Sequence, residues 1–146
     1  MKRKHFSFIG VISLVLILAS ISSAQTAGKL YSKNEANSIY GPVISSVKIN
    51  TADLSNMLSK TSNYIMFSIK NGSPAILDNK RSSLYPRNLA ISAEEVFHVF
   101  SVSIVKELIT KGGSTETYIE NRKNVLTITN GAYTLEMALA CPPFCG

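Results

Sequence analysis

Two runs of alternating residues, Val125 to Thr129 and Ala132 to Leu139, flank the dipeptide Asn130-Gly131. Asn-Gly tolerates the positive φ angles of a type I′ turn, so this stretch is expected to fold as a tight hairpin. A second Asn-Gly, Asn71-Gly72, separates the strand-like Tyr64–Lys70 from Ala75-Ile76-Leu77. Pro74 stands at the start of the return strand, where a missing amide donor is tolerated. Hairpins force neighbouring strands to run antiparallel, and this constrains the chain to a mostly antiparallel sheet.

The helices are read from periodicity and caps. Val43 to Ile49 alternates as a strand, and Asn50 or Thr51 can cap a short helix to about Lys60 with Leu54, Met57 and Leu58 as its apolar stripe. Further on, Ser92-Ala93-Glu94-Glu95 has the form of a capping box, yet Val96 to Val105 is dense in β-branched and aromatic residues. A strand over about 95–100 feeding a helix capped by Ser101 satisfies both signals. The helix is expected over at least Ser103 to Lys111, stopped by Gly112-Gly113, with its start left open. Residues 25–42 sustain neither period and end in Gly41-Pro42, so they read as a flexible lead-in, and Lys80 to Ala90 reads as a connection. Amphipathic helices need a partner surface. The expected fold class is therefore α+β: a small single domain over 43–146, with two helices packed on one face of a mostly antiparallel sheet built from hairpins.

An internal echo accompanies the two hairpins. Phe67-Ser68-Ile69-Lys70-Asn71-Gly72 and Leu126-Thr127-Ile128-Thr129-Asn130-Gly131 share the order apolar, hydroxyl, Ile, polar, Asn, Gly. Read as duplication, it equates two helix-plus-hairpin units. Read as turn chemistry, it needs no common origin.

The N-terminus carries an address. Lys2-Arg3-Lys4, the apolar stretch Phe6 to Ile21, and Ser22-Ser23-Ala24 follow the order of a secretory signal peptide, so residues 1–24 are expected to be cleaved before Gln25. The apolar run falls short of the roughly 20 residues a spanning helix needs, so no stable membrane span is expected after cleavage. No cysteine lies near the cleavage site to carry a bacterial lipid anchor. Export places the chain in a secreted or periplasmic setting. Three of the fifteen Lys and Arg residues leave with the leader, and the remaining twelve stand against nine acids for a net charge of +3. This mild, dispersed excess lacks the clustered Lys and Arg of a nucleic-acid footprint, and no nucleic-acid partner is expected.

Cys141-Pro142-Pro143-Phe144-Cys145 holds both cysteines. In an oxidising compartment nearby cysteines pair, and an extended loop would hold these sulfurs too far apart, so a Cys141–Cys145 disulfide requires a bend at Pro143 and Phe144. The alternatives are a redox dithiol, whose thioredoxin-type motif has two intervening residues at a helix N-terminus, and a metal site. The latter would need further ligands, and only His98 remains as a histidine after cleavage. No metal or cofactor is expected. His98 sits near Glu94 and Glu95, which could pair with it if the region were helical. Asn71-Gly72-Ser73 is a formal glycosylation acceptor followed by the hindering Pro74.

Ser103-Ile104-Val105-Lys106 resembles the Ser-x-x-Lys pattern of serine acyl-transferases such as penicillin-binding proteins. The resemblance covers four residues and implies a serine nucleophile with a lysine one turn on. Thr61-Ser62-Asn63 and Lys111-Gly112-Gly113 echo the family's other elements only loosely, in the wrong order or spacing, and the chain is too small for that fold. The sequence leans toward a non-enzymatic binding or envelope-associated module whose partner is another protein or an envelope component. Tyr118, Tyr133 and Phe144 are its expected contact surface, since aromatics give large contact area at low entropic cost. The alternative is a small hydrolase or transferase using Ser103 and Lys106, or His98 with a carboxylate.

Overall fold

The computed structural model describes residues 26–141. The expected leader, and Phe144 and Cys145 of the terminal loop, lie outside the described residues. Three times a strand runs straight into a helix, and each time the last strand residue is the helix N-cap. Strand β1 (Lys29–Ser32) feeds α1 (Lys33–Tyr40), β2 (Ser45–Asn50) feeds α2 (Thr51–Leu58), and β6 (Phe97–Ser101) feeds α3 (Val102–Gly112). The junctions need no linker because an N-cap residue already has extended dihedrals, as Ser32, Asn50 and Ser101 all do. Ser32 and Glu35 form a complete capping box, with Ser32 Oγ accepting from Glu35 N and Glu35 Oε2 accepting from Ser32 N. Asn50 Oδ1 accepts from Ala52 N at 2.8 Å. The Ser101 hydroxyl serves elsewhere, accepting from Ala27 N at 2.8 Å.

The other strands are β3 (Tyr64–Lys70), β4 (Ser73–Asp78), β5 (Ser83–Tyr85), β7 (Glu116–Asn121), β8 (Leu126–Asn130), β9 (Tyr133–Glu136) and β10 (Leu139–Cys141). The ten strands of the described residues divide into two five-stranded sheets, ordered β1-β9-β8-β7-β2 and β10-β6-β3-β4-β5, with every pairing antiparallel. The α+β class and its hairpins stand. The expected two helices on a single sheet are corrected to three helices and two sheets among the described residues. The third helix, α1, comes from residues 25–42, where the Ser32 capping box organises a stretch too short to show a sustained period.

The two sheets share one plan. The run β2-α2-β3-β4-β5 has the same connectivity as β6-α3-β7-β8-β9, and each half lends its first strand to the other half's sheet, β2 pairing with β7 and β6 with β3. The registers agree residue by residue. The cap Asn50 lies opposite Glu116, first residue of β7, while the cap Ser101 lies opposite Tyr64, first residue of β3. The first helical amides do the same, Thr51 N donating to Thr115 O and Val102 N to Asn63 O, both at 2.9 Å.

This plan revises the echo between the Asn-Gly hairpins. The structural counterpart of the β3–β4 hairpin is β7–β8, whereas the second Asn-Gly joins β8 to β9. The turns also differ. Asn71 and Gly72 both have positive φ, 50° and 71°, and form the loop between Lys70 and Ser73, as a type I′ turn requires. At the second site Asn130 pairs with Tyr133, so the loop is Gly131-Ala132 with only Gly131 at positive φ, the type II′ pattern rather than the expected type I′. Asn130 is instead a buried strand residue. Its Nδ2 donates to Thr117 Oγ1 and Thr51 Oγ1, and its Oδ1 accepts from Ser114 N. Gly112 fits directly against it: a Cβ there would stand 2.2 Å from Asn130 Oδ1.

The inner faces of both sheets meet α2 and α3 in the main core. Ile49, Ile119, Ile128 and Leu135 come from the first sheet, Ile65, Phe67, Ile76 and Phe100 from the second, and Leu54, Leu58, Val105 and Leu108 from the helices.

Candidate functional site

The Ser-x-x-Lys motif opens α3. Ser103 and, one turn on, Lys106 are both exposed, and they line a hollow of about 360 Å³ with Thr26, Ser62, Asn63, Tyr64 and Ser101. The strand-to-helix junction brings this set together, since Asn63 O receives Val102 N and so fixes the 62–64 segment against the helix start. Among the described residues no histidine or carboxylate lines the hollow. His98 lies elsewhere, on β6 opposite Phe67 and Ala140. Its region is a strand rather than a helix, and Glu95 is ion-paired with Lys70 at 2.9 Å. Burial pulls the His98 imidazole below its ordinary value.

A second concentration of polar groups lies on the outer face of the first sheet. Strand alternation turns Glu120, Thr127, Thr129, Thr134 and Glu136 away from the main core, yet all are buried, because α1 folds back over this face. Arg122, 5% exposed, ties the helix to the sheet. Its Nη1 donates to Asn37 Oδ1 at 2.7 Å and to Gly41 O at 2.6 Å, its Nε to Thr127 Oγ1 and its Nη2 to Glu120 Oε2, both at 3.1 Å. Glu120 Oε2 also accepts from Thr127 and Thr129. Tyr40 donates to Tyr31 across an edge-to-face ring contact. Burial, this bond and the Glu136 carboxylate push the Tyr40 phenol well above its ordinary range. Among the described residues no buried side-chain polar atom lacks a partner, so this network is closed on itself.

The third feature is an apolar shoulder where α1 hands over to β2. Ile39 is 59% exposed and Ile44 70%, with Val43 between them in the chain. Ile39, Tyr40, Gly41, Pro42 and Val125, with Lys123 and Asn124, line an adjoining hollow of about 420 Å³. Ile44 N donates to Asn121 O, which anchors the shoulder to the end of β7. Beyond it, among the described residues, β2 is the terminal strand of its sheet. Sequence reasoning missed this surface by reading residues 25–42 as a lead-in. Ser32-x-x-Glu35 was the signal for the helix, and Val43-Ile44 after Gly41-Pro42 the signal for exposed apolar residues.

The expected contact residues separate. Tyr118 lies on the outer face of the first sheet, opposite Lys48 of β2, and its hydroxyl donates to Glu116 at 2.7 Å. Tyr133 begins β9 on the same side of the sheet as Leu135, the inner side, near the C-terminal turn of α3. Phe144 lies outside the described residues. So does Cys145. Cys141 is buried in a second apolar cluster with Phe97, and Arg81 Nη1 reaches its Sγ at 2.9 Å. Among the described residues, no group of three or more His, Cys, Asp or Glu stands where it could hold a metal, and no helix is long and apolar enough to cross a membrane. The chain matches no protein-family model, no curated protein and no solved structure.

Proposed function

We propose that this protein is a non-enzymatic binding module, exported by cleavage after Ala24 and acting as a secreted or periplasmic, envelope-associated chain. The shoulder carries this reading. Ile39, Val43 and Ile44 are exposed beside a preformed hollow and run directly into the open edge of β2. Apolar side chains gathered this way and rimmed by polar groups mark interaction sites. Tyr118, one strand in from the edge, extends the surface, and a Cys141–Cys145 disulfide would fasten the end of β10. The partner is another protein or an envelope component; nucleic acid, metal and cofactors play no part.

Photo-crosslinkers placed at Ile44 and at Ser55, an exposed residue of α2, test this in the full-length chain expressed with its leader. Adducts at position 44 and none at 55 are expected, and silence at 44 would count against the reading. Mass spectrometry of the exported product should begin at Gln25, whereas Met1 retained in a membrane fraction would remove the export step.

The hollow that gathers Ser103, Lys106, Ser62 and Asn63 supports a second reading, a small hydrolase or transferase. Ester turnover lost in both Ser103→Ala and Lys106→Ala, with folding intact, would replace the binding reading with this one.

A further inference from the structure

The two halves differ at one edge. In the second sheet β6 is flanked by β10, with Leu139, Ala140 and Cys141 opposite Val99, His98 and Phe97. The next outward amide, that of Ser101, donates to Ala27 O at 2.8 Å. In the first sheet the counterpart strand β2 ends the sheet, and no strand of the described residues lies beside it. The shared registers put Ser46, Val47 and Lys48 where Phe97, His98 and Val99 stand. One half therefore shows an added strand at the position that the other half leaves open.

The ladder determines which backbone groups this edge presents. Thr51 N bonds to Thr115 O, so at a period of two Ile49, Val47 and Ser45 turn their amides and carbonyls toward β7, while Ser46 and Lys48 turn theirs outward. The edge has little protection. β2 contains no proline, and Lys48, the one charged residue on it, is already ion-paired with Glu116.

Resting on the binding-module reading, we propose that the partner at this edge is a second copy of the chain, β2 pairing antiparallel with its own counterpart about a two-fold axis through Val47. A strand added here makes its hydrogen-bonded pairs from outward residues on both sides. Matching Lys48 with Lys48 would set like charges directly opposite each other. Centring on Ser46 would set each Lys48 opposite the apolar Ile44. Centring on Val47 matches each Ser46 with the Lys48 of the second copy, so that a lysine already neutralised by Glu116 meets a neutral hydroxyl. Val47 then meets Val47, and Ile44 is covered by the start of the other copy's α2. The contact is self-complementary and closes at two copies, as an isologous interface must.

Sedimentation equilibrium of the mature chain from Gln25, over micromolar to millimolar concentration, tests the proposal. A reversible dimer is expected. Ser46→Pro removes an amide that β7 does not use, and should abolish the dimer while leaving the thermal midpoint of the monomer in place. Ser46→Glu, facing Lys48 twice per dimer, should tighten the dimer and Ser46→Lys weaken it, each by about twofold to thirtyfold in Kd. Should Ser46→Pro unfold the chain, the two charge variants, which leave the backbone intact, decide. A monomer at every concentration would overturn the proposal, as would a dimer indifferent to all three variants. A monomer that still gives adducts to other proteins at Ile44 removes the second copy and leaves the binding module standing.

Discussion

The outer faces of the two sheets occupy equivalent places in a repeated plan and are built from opposite chemistry. Where the second sheet sets Met66 opposite Leu77 and Ser68 opposite Ala75, the first sets Tyr118 opposite Thr129 and Glu120 opposite Thr127. The apolar face, with Phe97, Val99 and Cys141, is closed by Leu89, Ile91 and Leu139 from a long connection and the terminal strand. The polar face is closed by a helix. Apolar contact is non-directional, so an irregular segment suffices to cover it. A buried polar network is stable only when every member is satisfied, and that needs donors and acceptors at fixed positions. Asn37 and Gly41 supply them to Arg122 at the end of a short, doubly capped helix.

The sharpest way to break this comparison is to remove one partner of the polar face. Arg122→Ala leaves Glu120 buried without its cation and should cost about 3–5 kcal/mol in urea denaturation. Replacing the pair together, by Glu120→Leu with Arg122→Met, should recover most of that loss. A double variant as unstable as the single one would show that α1 needs the guanidinium itself. On the apolar face, Leu77→Ala should cost about 2–5 kcal/mol through lost burial and the cavity left behind, and no companion substitution of a polar residue should rescue it. Ser32→Ala removes the cap of α1 and should cost about 1 kcal/mol. Hydrogen exchange should then rise in α1 and at the Arg122 side chain, and remain unchanged around Leu77.

How legible these faces were in the sequence follows from their physics. The alternation of Tyr64–Lys70, the cap at Asn50 and the Ser101 junction were readable, because local dihedral preference and tertiary structure agree there. Glu120, Thr127, Thr129 and Thr134 were not readable as buried. Alternating polar residues on a strand ordinarily mean a solvated face, and only the return of α1 over them reverses that reading. The division into two sheets escaped for a related reason: hairpins specify which neighbours pair, but β2–β7 and β3–β6 join residues more than thirty positions apart, and no local signal encodes them. Of the candidate site, Ser103 and Lys106 were named as an alternative, but that Ser62 and Asn63 share a hollow with them was not read, because residues forty positions away in sequence give no local sign of it. The Ile39–Ile44 shoulder was not read either, since isolated apolar residues beside Gly41-Pro42 have no period to betray them.

The smallest expected effect separates the two sheets by pH. Burial holds the folded-state pKa of His98, in the second sheet, below its ordinary 6.5. As pH falls through 6.5 the unfolded chain therefore takes up its proton first, and stability declines until the folded-state pKa is passed. On the first-sheet side the sign is the same and the window lies lower. Hydrogen bonds from Ser32 lower Glu35, and hydrogen bonds from Lys48 and Tyr118 lower Glu116, both below an ordinary 4.5. Their contribution is complete above 4.5 and is lost as pH falls from there through the folded values. Denaturation midpoints followed from neutral pH into acid should thus show two limbs. His98→Gln should flatten the limb that begins near 6.5 and leave the acid limb in place, while Glu116→Gln should blunt only the acid limb. A first limb that persists in His98→Gln would mean that histidine burial does not govern the second sheet's response to acid. A Glu116→Gln variant that alters the upper limb would mean that the two sheets lose stability as one unit rather than separately.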